Sequence, residues 1–230
     1  DVDPEGNPFK ATVKCVVAME EDVTLLGGFA GTETSRTMRD WNANPTIIDG
    51  ESKYTCVCGA GDARIDGFTI RKGSSMFGAG MFNYKAAPTV ANCTFAQNAA
   101  YYYAGAVFNS QASPAFTDCL FTENAAIIGA AMANLIASPT VARCSFKTNT
   151  AGAVGGAMYN NSSSPEVNDC VFSGNSASGS ESSGGAMQND SASPIIGNST
   201  FTENSADNGG AIGNSEASPV VTNCVLAENS

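Results

Sequence analysis

A proline recurs at Pro88, Pro114, Pro139, Pro165, Pro194 and Pro219, at intervals of 26, 25, 26, 29 and 25 residues. Two other landmarks keep the same step. Phe-x-x-Asn runs from Phe95 to Asn98, Phe121 to Asn124, Phe146 to Asn149, Phe172 to Asn175 and Phe201 to Asn204, with Leu226 to Asn229 as a variant. A small-small-small-apolar-x-Asn block ends at Asn83, Asn109, Asn134, Asn160, Asn189 and Asn214, clearest as Gly155-Gly156-Ala157-Met158-Tyr159-Asn160. The register extends backwards, with Ile65, Gly67, Phe68, Ile70 and Gly73 lying 25 residues before Val90, Asn92, Cys93, Phe95 and Asn98. A fixed period of this length marks a solenoid, because one unit is too small to bury its apolar face alone and must stack on its neighbours.

Within each unit the apolar residues alternate over short runs and no helical period persists, so the elements are short strands. Strands too short for hairpins bury their inward residues only by stacking on the equivalent strands of the next unit. The expectation is an all-β, right-handed parallel β-helix of about nine turns of about 25 residues, with three strands per turn and a length of roughly 40 Å. The hexapeptide period of left-handed helices is missing. Residues 63–230 form the regular repeats, and residues 1–62 an irregular part that completes the early rungs. The position before each Cys-x-Phe strand is Asn92, Asp118, Arg143, Asp169, Asn198 or Asn223, and Asn and Asp tolerate the left-handed backbone of a sharp corner. The Asn of Phe-x-x-Asn suits a second corner, where stacked amides form a ladder. The 29-residue interval places extra residues of Ser176 to Ser183 in a loop on one rung.

Composition narrows function. The 230-residue chain has no histidine, which removes the usual general base, the common zinc sites and His-containing triads. A net charge of −11 argues against nucleic acid as a partner. No apolar run reaches the ~20 residues of a membrane span, and a start at Asp1 suggests a processed or trimmed chain. The reading is a secreted or cell-surface, extracellular protein.

The segments GGFAGTETSRTMRDW (Gly27 to Trp41), NPTIIDG (Asn44 to Gly50) and ARIDGFTI (Ala63 to Ile70), with the repeated SPxVxNCxFxxN and GGAMxN blocks, resemble bacterial right-handed parallel β-helix surface proteins. The polymorphic outer-membrane autotransporter passengers are the nearest named group. The resemblance implies the fold over most of the chain and a surface role. The same scaffold also carries polysaccharide lyases, galacturonases and tailspikes.

Cys93, Cys119, Cys144, Cys170 and Cys224 share one inward strand position. Parallel rungs hold the Cβ atoms at ~4.8 Å, beyond the ~3.8 Å of a relaxed disulfide, so a column of free thiols is expected. Cys56 and Cys58 read as core thiols in preference to a redox or soft-metal pair. Asp1, Asp3 and Glu5 imitate the start of a calcium loop incompletely and fit an acidic terminus better. No metal or other cofactor is expected.

A β-helix enzyme needs paired carboxylates, or a basic residue with calcium. Nine of the 11 basic residues lie before residue 86, which makes Arg64, Arg71, Lys72 and Lys85, with Asp62 and Asp66, the catalytic candidates. Arg64 and Asp66 should face outward together, as a surface ion pair also would. Short turns build no groove, so no catalytic residue is assigned. The alternation turns Phe82, Phe108 and Tyr159 outward in a column, joined by Tyr101, Tyr102 and Tyr103 in a loop. That face could stack on sugar rings, receive another subunit or lie beneath an adjacent segment. The functional expectation is a non-catalytic structural or adhesive module with a carbohydrate or cell-surface ligand, able to self-associate end to end into a filament. A polysaccharide lyase or glycoside hydrolase is the alternative.

Overall fold

A computed structural model describes residues 13–230; Asp1, Asp3 and Glu5 lie outside the described residues. The chain coils into a right-handed parallel β-helix whose walls are three eight-stranded sheets and a fourth of five strands. One rung runs through Met132–Leu135 in the first sheet, Thr140–Ala142 in the second, Ser145–Lys147 in the third and Thr150–Val154 in the fourth. Register is strict: Phe108 lies between Phe82 and Ala133, and Phe146 between Phe121 and Phe172.

Three expectations are corrected here. The fourth sheet makes four strands per turn where three were expected, and Tyr101, Tyr102 and Tyr103 belong to its strand Ala99–Tyr103 and not to a loop. Eight strands in the first sheet enclose about seven full turns, not nine. The early chain fills fewer rungs than its length suggests, because Val17 pairs with Val57, 40 residues on. The excess leaves the wall as an excursion between strands Thr24–Leu26 and Thr46–Asp49, carrying a short 3-10 helix at Arg36–Met38.

The corners are left-handed, as the sequence predicts. Asn92, Asp118, Arg143, Asp169, Asn198 and Asn223 have φ of 49–55°. Their backbones stay in the hydrogen-bond system, with Asn92 N–H donating to Thr117 O and Arg143 N–H to Asn168 O (3.1 and 3.0 Å). A conformation unfavourable for an L-residue is thereby imposed by the rungs above and below. Arg143, the odd residue of the set, pairs with Asp118 of the preceding rung at 2.8 Å. The Gly-Gly of the repeated block answers two demands. Gly155 has φ 65°, and a Cβ on Gly156 would lie 2.0 Å from Gly185 O in the next rung.

The Phe-x-x-Asn amides form the expected ladder. Nδ2 donates to Oδ1 of the next rung from Asn98 through Asn124, Asn149, Asn175 and Asn204 to Asn229, at 2.9–3.0 Å. A second ladder runs from Asn83 to Asn214 at 2.8–3.0 Å. A third explains the serine before the prolines from Pro114 onward: the Ser164 N–H donates to Ser138 Oγ, and the Ser193 N–H to Ser164 Oγ. Between the ladders, Phe121, Phe146, Phe172 and Phe201 stack with centroids 4.6 Å apart and planes within 4°. The core is thus a bundle of axial columns, some of one residue type, such as the asparagines and Phe121 to Phe201, and others of mixed apolar residues, such as Val90, Phe116 and Val141.

Cys93, Cys119, Cys144 and Cys170 form a buried column of free thiols, and Cys224 continues it half-buried. Burial pushes the Cys93 thiol up to about 12, so it resists ionisation at neutral pH. Cys56 is also a free core thiol. Cys58 corrects the expectation, since it is disulfide-bonded to Cys15. The rung-spacing argument covered only the inward column, and Cys58 lies outside it, in register with outward-turned Phe82. Among the described residues no helix is long and apolar enough to cross a membrane.

Two measurements check these interactions. Asn149→Ala removes the acceptor for the Asn124 backbone N–H and amide and the side-chain donor to Phe121 O, and leaves Asn175 Oδ1 only the residue-149 backbone N–H, at a cost of roughly 3 kcal/mol or more. Asn229→Ala, at a half-buried position of the same ladder, is expected to cost less than half as much in urea unfolding. Alkylation of the denatured, unreduced chain is expected to modify six of the eight cysteines, and all eight after reduction.

Candidate functional site

The outward aromatic column is not an open face. Phe82, Phe108 and Tyr159 do point away from the axial core, but they are buried. The last residues of the fourth-sheet strands, Phe77, Tyr103, Ile128 and Val154, fold back onto them and form a second apolar cluster outside the first sheet. Tyr103 stacks on Tyr159 at 6.1 Å and leans on Phe108 at 5.8 Å. Tyr159 donates its hydroxyl hydrogen to Asp190 at 2.8 Å, and burial together with that carboxylate raises its pKa. The alternation that turns these rings outward is real. Its consequence is a packed layer, because a fourth strand in each rung covers them.

What the fourth sheet leaves exposed is its own outer side. Tyr101 is 70% exposed, and Tyr102, Met76 and Ile127 are exposed beside it on three successive rungs. Tyr102 meets the Tyr103 ring edge-on at 4.7 Å, so the strip is fixed to the buried layer beneath. Met76 and Ile127 escaped the sequence reading, although they fall 25 residues before and 26 after Tyr101, the period of every other landmark.

The catalytic candidates do not converge. Arg71 pairs with Asp49 of the preceding rung at 2.8 Å. Asp62, Lys72 and Lys85 sit at left-handed corners with φ of 51–52°. Only Arg64 and Asp66 meet, and theirs is not a plain surface pair, since Asp66 is 2% exposed. The Gly27-to-Asn44 excursion lies over it and sends Arg39 Nη2 to Asp66 Oδ1 at 2.7 Å. Arg39 Nη1 donates to the Gly27 and Asp66 carbonyls, and its guanidinium lies 4.9 Å from the Trp41 ring centroid. Asn92 adds a hydrogen bond to Asp66 Oδ1. Burial alone would raise the Asp66 pKa, but the donors Asn92, Arg39 and Arg64 outweigh it and hold it below the usual carboxylate range. An ionised carboxylate held by three donors serves as an anchor for the excursion, not as a proton donor. Arg39 and Trp41 carried only resemblance in the sequence; the signal for them was a second Arg and the sole Trp within six residues of Arg36. Among the described residues no three His, Cys, Asp or Glu side chains converge as metal ligands.

Residues 44–190 match the family model of the right-handed beta helix region. The chain belongs to this family. No curated protein matches the sequence. The β-helix match spans the aromatic layer and Asp66, while Arg39 and Trp41 lie just before it, and the fold it describes fits surface proteins and polysaccharide-acting proteins generally.

Because the folded-state pKa of Asp66 is depressed, its contribution is complete above the unfolded value of about 4 and is lost as pH falls through the folded value. Trp41 emission is therefore expected to change below about pH 4, as the excursion detaches. Asp66→Asn, which leaves Arg39 buried without its counter-charge, should bring the same emission change to neutral pH at a cost on the order of 3 kcal/mol.

Proposed function

We propose that the protein is a non-catalytic β-helix module, secreted or displayed at a cell surface, that adheres to an extended saccharide through the outer side of its fourth sheet. The observation that carries this reading is the exposed strip of Met76, Tyr101, Tyr102 and Ile127 on a rigid aromatic base. Tyr101 and Tyr102 offer rings for a sugar to stack on, Met76 and Ile127 extend the apolar surface to the rungs on either side, and an apolar strip of this kind marks a contact site more often than chance exposure. The separation of the charged candidates and the three donors that hold Asp66 ionised favour adhesion over hydrolysis or elimination. The resemblance to autotransporter passengers points the same way. Rung stacking between molecules belongs to the same proposal, because parallel rungs pair edge to edge and the same pairing can join one copy to another.

Retention on a panel of immobilised neutral and acidic polysaccharides, with reducing-end and unsaturated-product assays in parallel, tests the reading. Binding without turnover is expected, with Tyr101→Ala/Tyr102→Ala weakening retention roughly tenfold and leaving the melting temperature unchanged. Turnover of any polysaccharide would replace adhesion with the lyase or hydrolase reading. Electron microscopy at raised concentration tests stacking, through rods that lengthen in steps of roughly 40 Å.

A further inference from the structure

A second open site lies on a different wall, beside the excursion. A cleft of about 550 Å³ is bordered by Thr24, Arg36, Thr37, Arg39, Trp41 and Arg64, with Asp66 at its base. Its volume falls within the range that small-molecule sites use. Three guanidinium groups and one carboxylate give it a net charge of 3 − 1 = +2, in a chain whose total is −11.

The valences in the cleft are unevenly spent. Arg39 is 12% exposed, with both terminal nitrogens committed to Asp66 and to backbone carbonyls. Asp66 accepts from Arg39 and Asn92 on Oδ1 and from Arg64 on Oδ2, so it neutralises no further cation. Arg64 gives one nitrogen to Asp66 and its side chain remains 40% exposed. Arg36 is exposed and forms no ion pair among the described residues. Like charges held together beside low-dielectric walls focus a positive field that an anion relieves. Guanidinium forks match a carboxylate or sulfate through paired donors. The Trp41 ring and the threonine hydroxyl groups complete a wall suited to a hydroxylated ring.

We infer that this cleft binds an acidic saccharide, with Arg36 and Arg64 contacting its anionic group and Trp41 bordering its ring. The site is independent of the tyrosine strip, which lies on the fourth sheet while the cleft opens over the second. Arg39 and Asp66 position the cleft and do not contact the ligand's charge.

Trp41 is the only tryptophan in the chain, so tryptophan emission, excited selectively over the six tyrosines, reports on this cleft alone. Titration of the full chain with a galacturonate trimer is expected to give a saturable change in emission that weakens as salt rises. The trimer's neutral methyl ester should bind at least about tenfold more weakly, and Arg36→Ala should weaken the acidic trimer by a similar factor with an unchanged circular dichroism spectrum and melting temperature. A sulfated trisaccharide in place of the uronate distinguishes the two anionic groups, and binding of either supports the assignment. Equal affinity for the ester, an unaltered affinity in Arg36→Ala, or a response to inorganic sulfate with none to either acidic trimer would overturn it. Tyr101→Ala/Tyr102→Ala should leave this signal intact; its loss there would move the binding to the other face and also overturn the assignment.

Discussion

Everything in this molecule depends on the hydrogen-bonded register between one rung and the next. It is enforced by backbone pairing on every wall, and side chains that stack on their own kind reinforce it. A slip of one residue would turn the inward phenylalanines outward, break both asparagine ladders and remove the partners of the left-handed corners together. Because the penalties coincide, the sequence can be poor in charge and rich in small polar residues and still specify one structure. The amides bring specificity as well as energy. A buried asparagine with both its donors and its acceptor engaged tolerates no other alignment, whereas a purely apolar column would accept several.

The two open sites are consequences of that regularity and of its interruption. The tyrosine strip arises where the period continues unbroken: the fourth sheet folds back to seal the outward aromatics, and its own far side must then meet solvent or a ligand. The basic cleft arises where the period fails, in the lengthened first rung. An excursion cannot join the rung-to-rung pairing, so it is held by a different force, the buried Arg39–Asp66 ion pair with the Trp41 ring against it. The wall supplies rigidity and the excursion supplies shape, the division of labour that binding sites on repetitive scaffolds use.

How much of this the sequence carried can be traced residue by residue. Period, corner conformation, the Phe-x-x-Asn ladder and the thiol column were legible, because each is a local property that the stack repeats. The fate of Phe82, Phe108 and Tyr159 was half legible. Alternation fixed their direction, but their cover comes from Phe77 and Tyr103, whose strands lack the alternating signature and begin with small residues, Ser74 and Ser75 in one and Ala99 and Ala100 in the other. The burial of Asp66 was not legible, since its partner Arg39 lies 27 residues away in a segment outside the repeat. The Cys15–Cys58 bond was hidden for the same reason, as neither residue belongs to the column whose geometry the period defines.

The corners carry one more consequence, for where such a rod can acquire new parts. Corner residues such as Asn92 and Arg143 donate their backbone hydrogen bonds straight up the axis, so the turn is as much a part of the wall as the strands are. Additional chain has entered at two places, the 27–45 excursion between the second and third sheets and the extra residues around Gly179 to Ser182 beside the fourth. Both leave the flanking strands in step with their neighbours. The scaffold therefore separates inheritance from invention: rungs can be duplicated or lost as whole units without disturbing one another, while recognition is edited in short detours that the columns do not register.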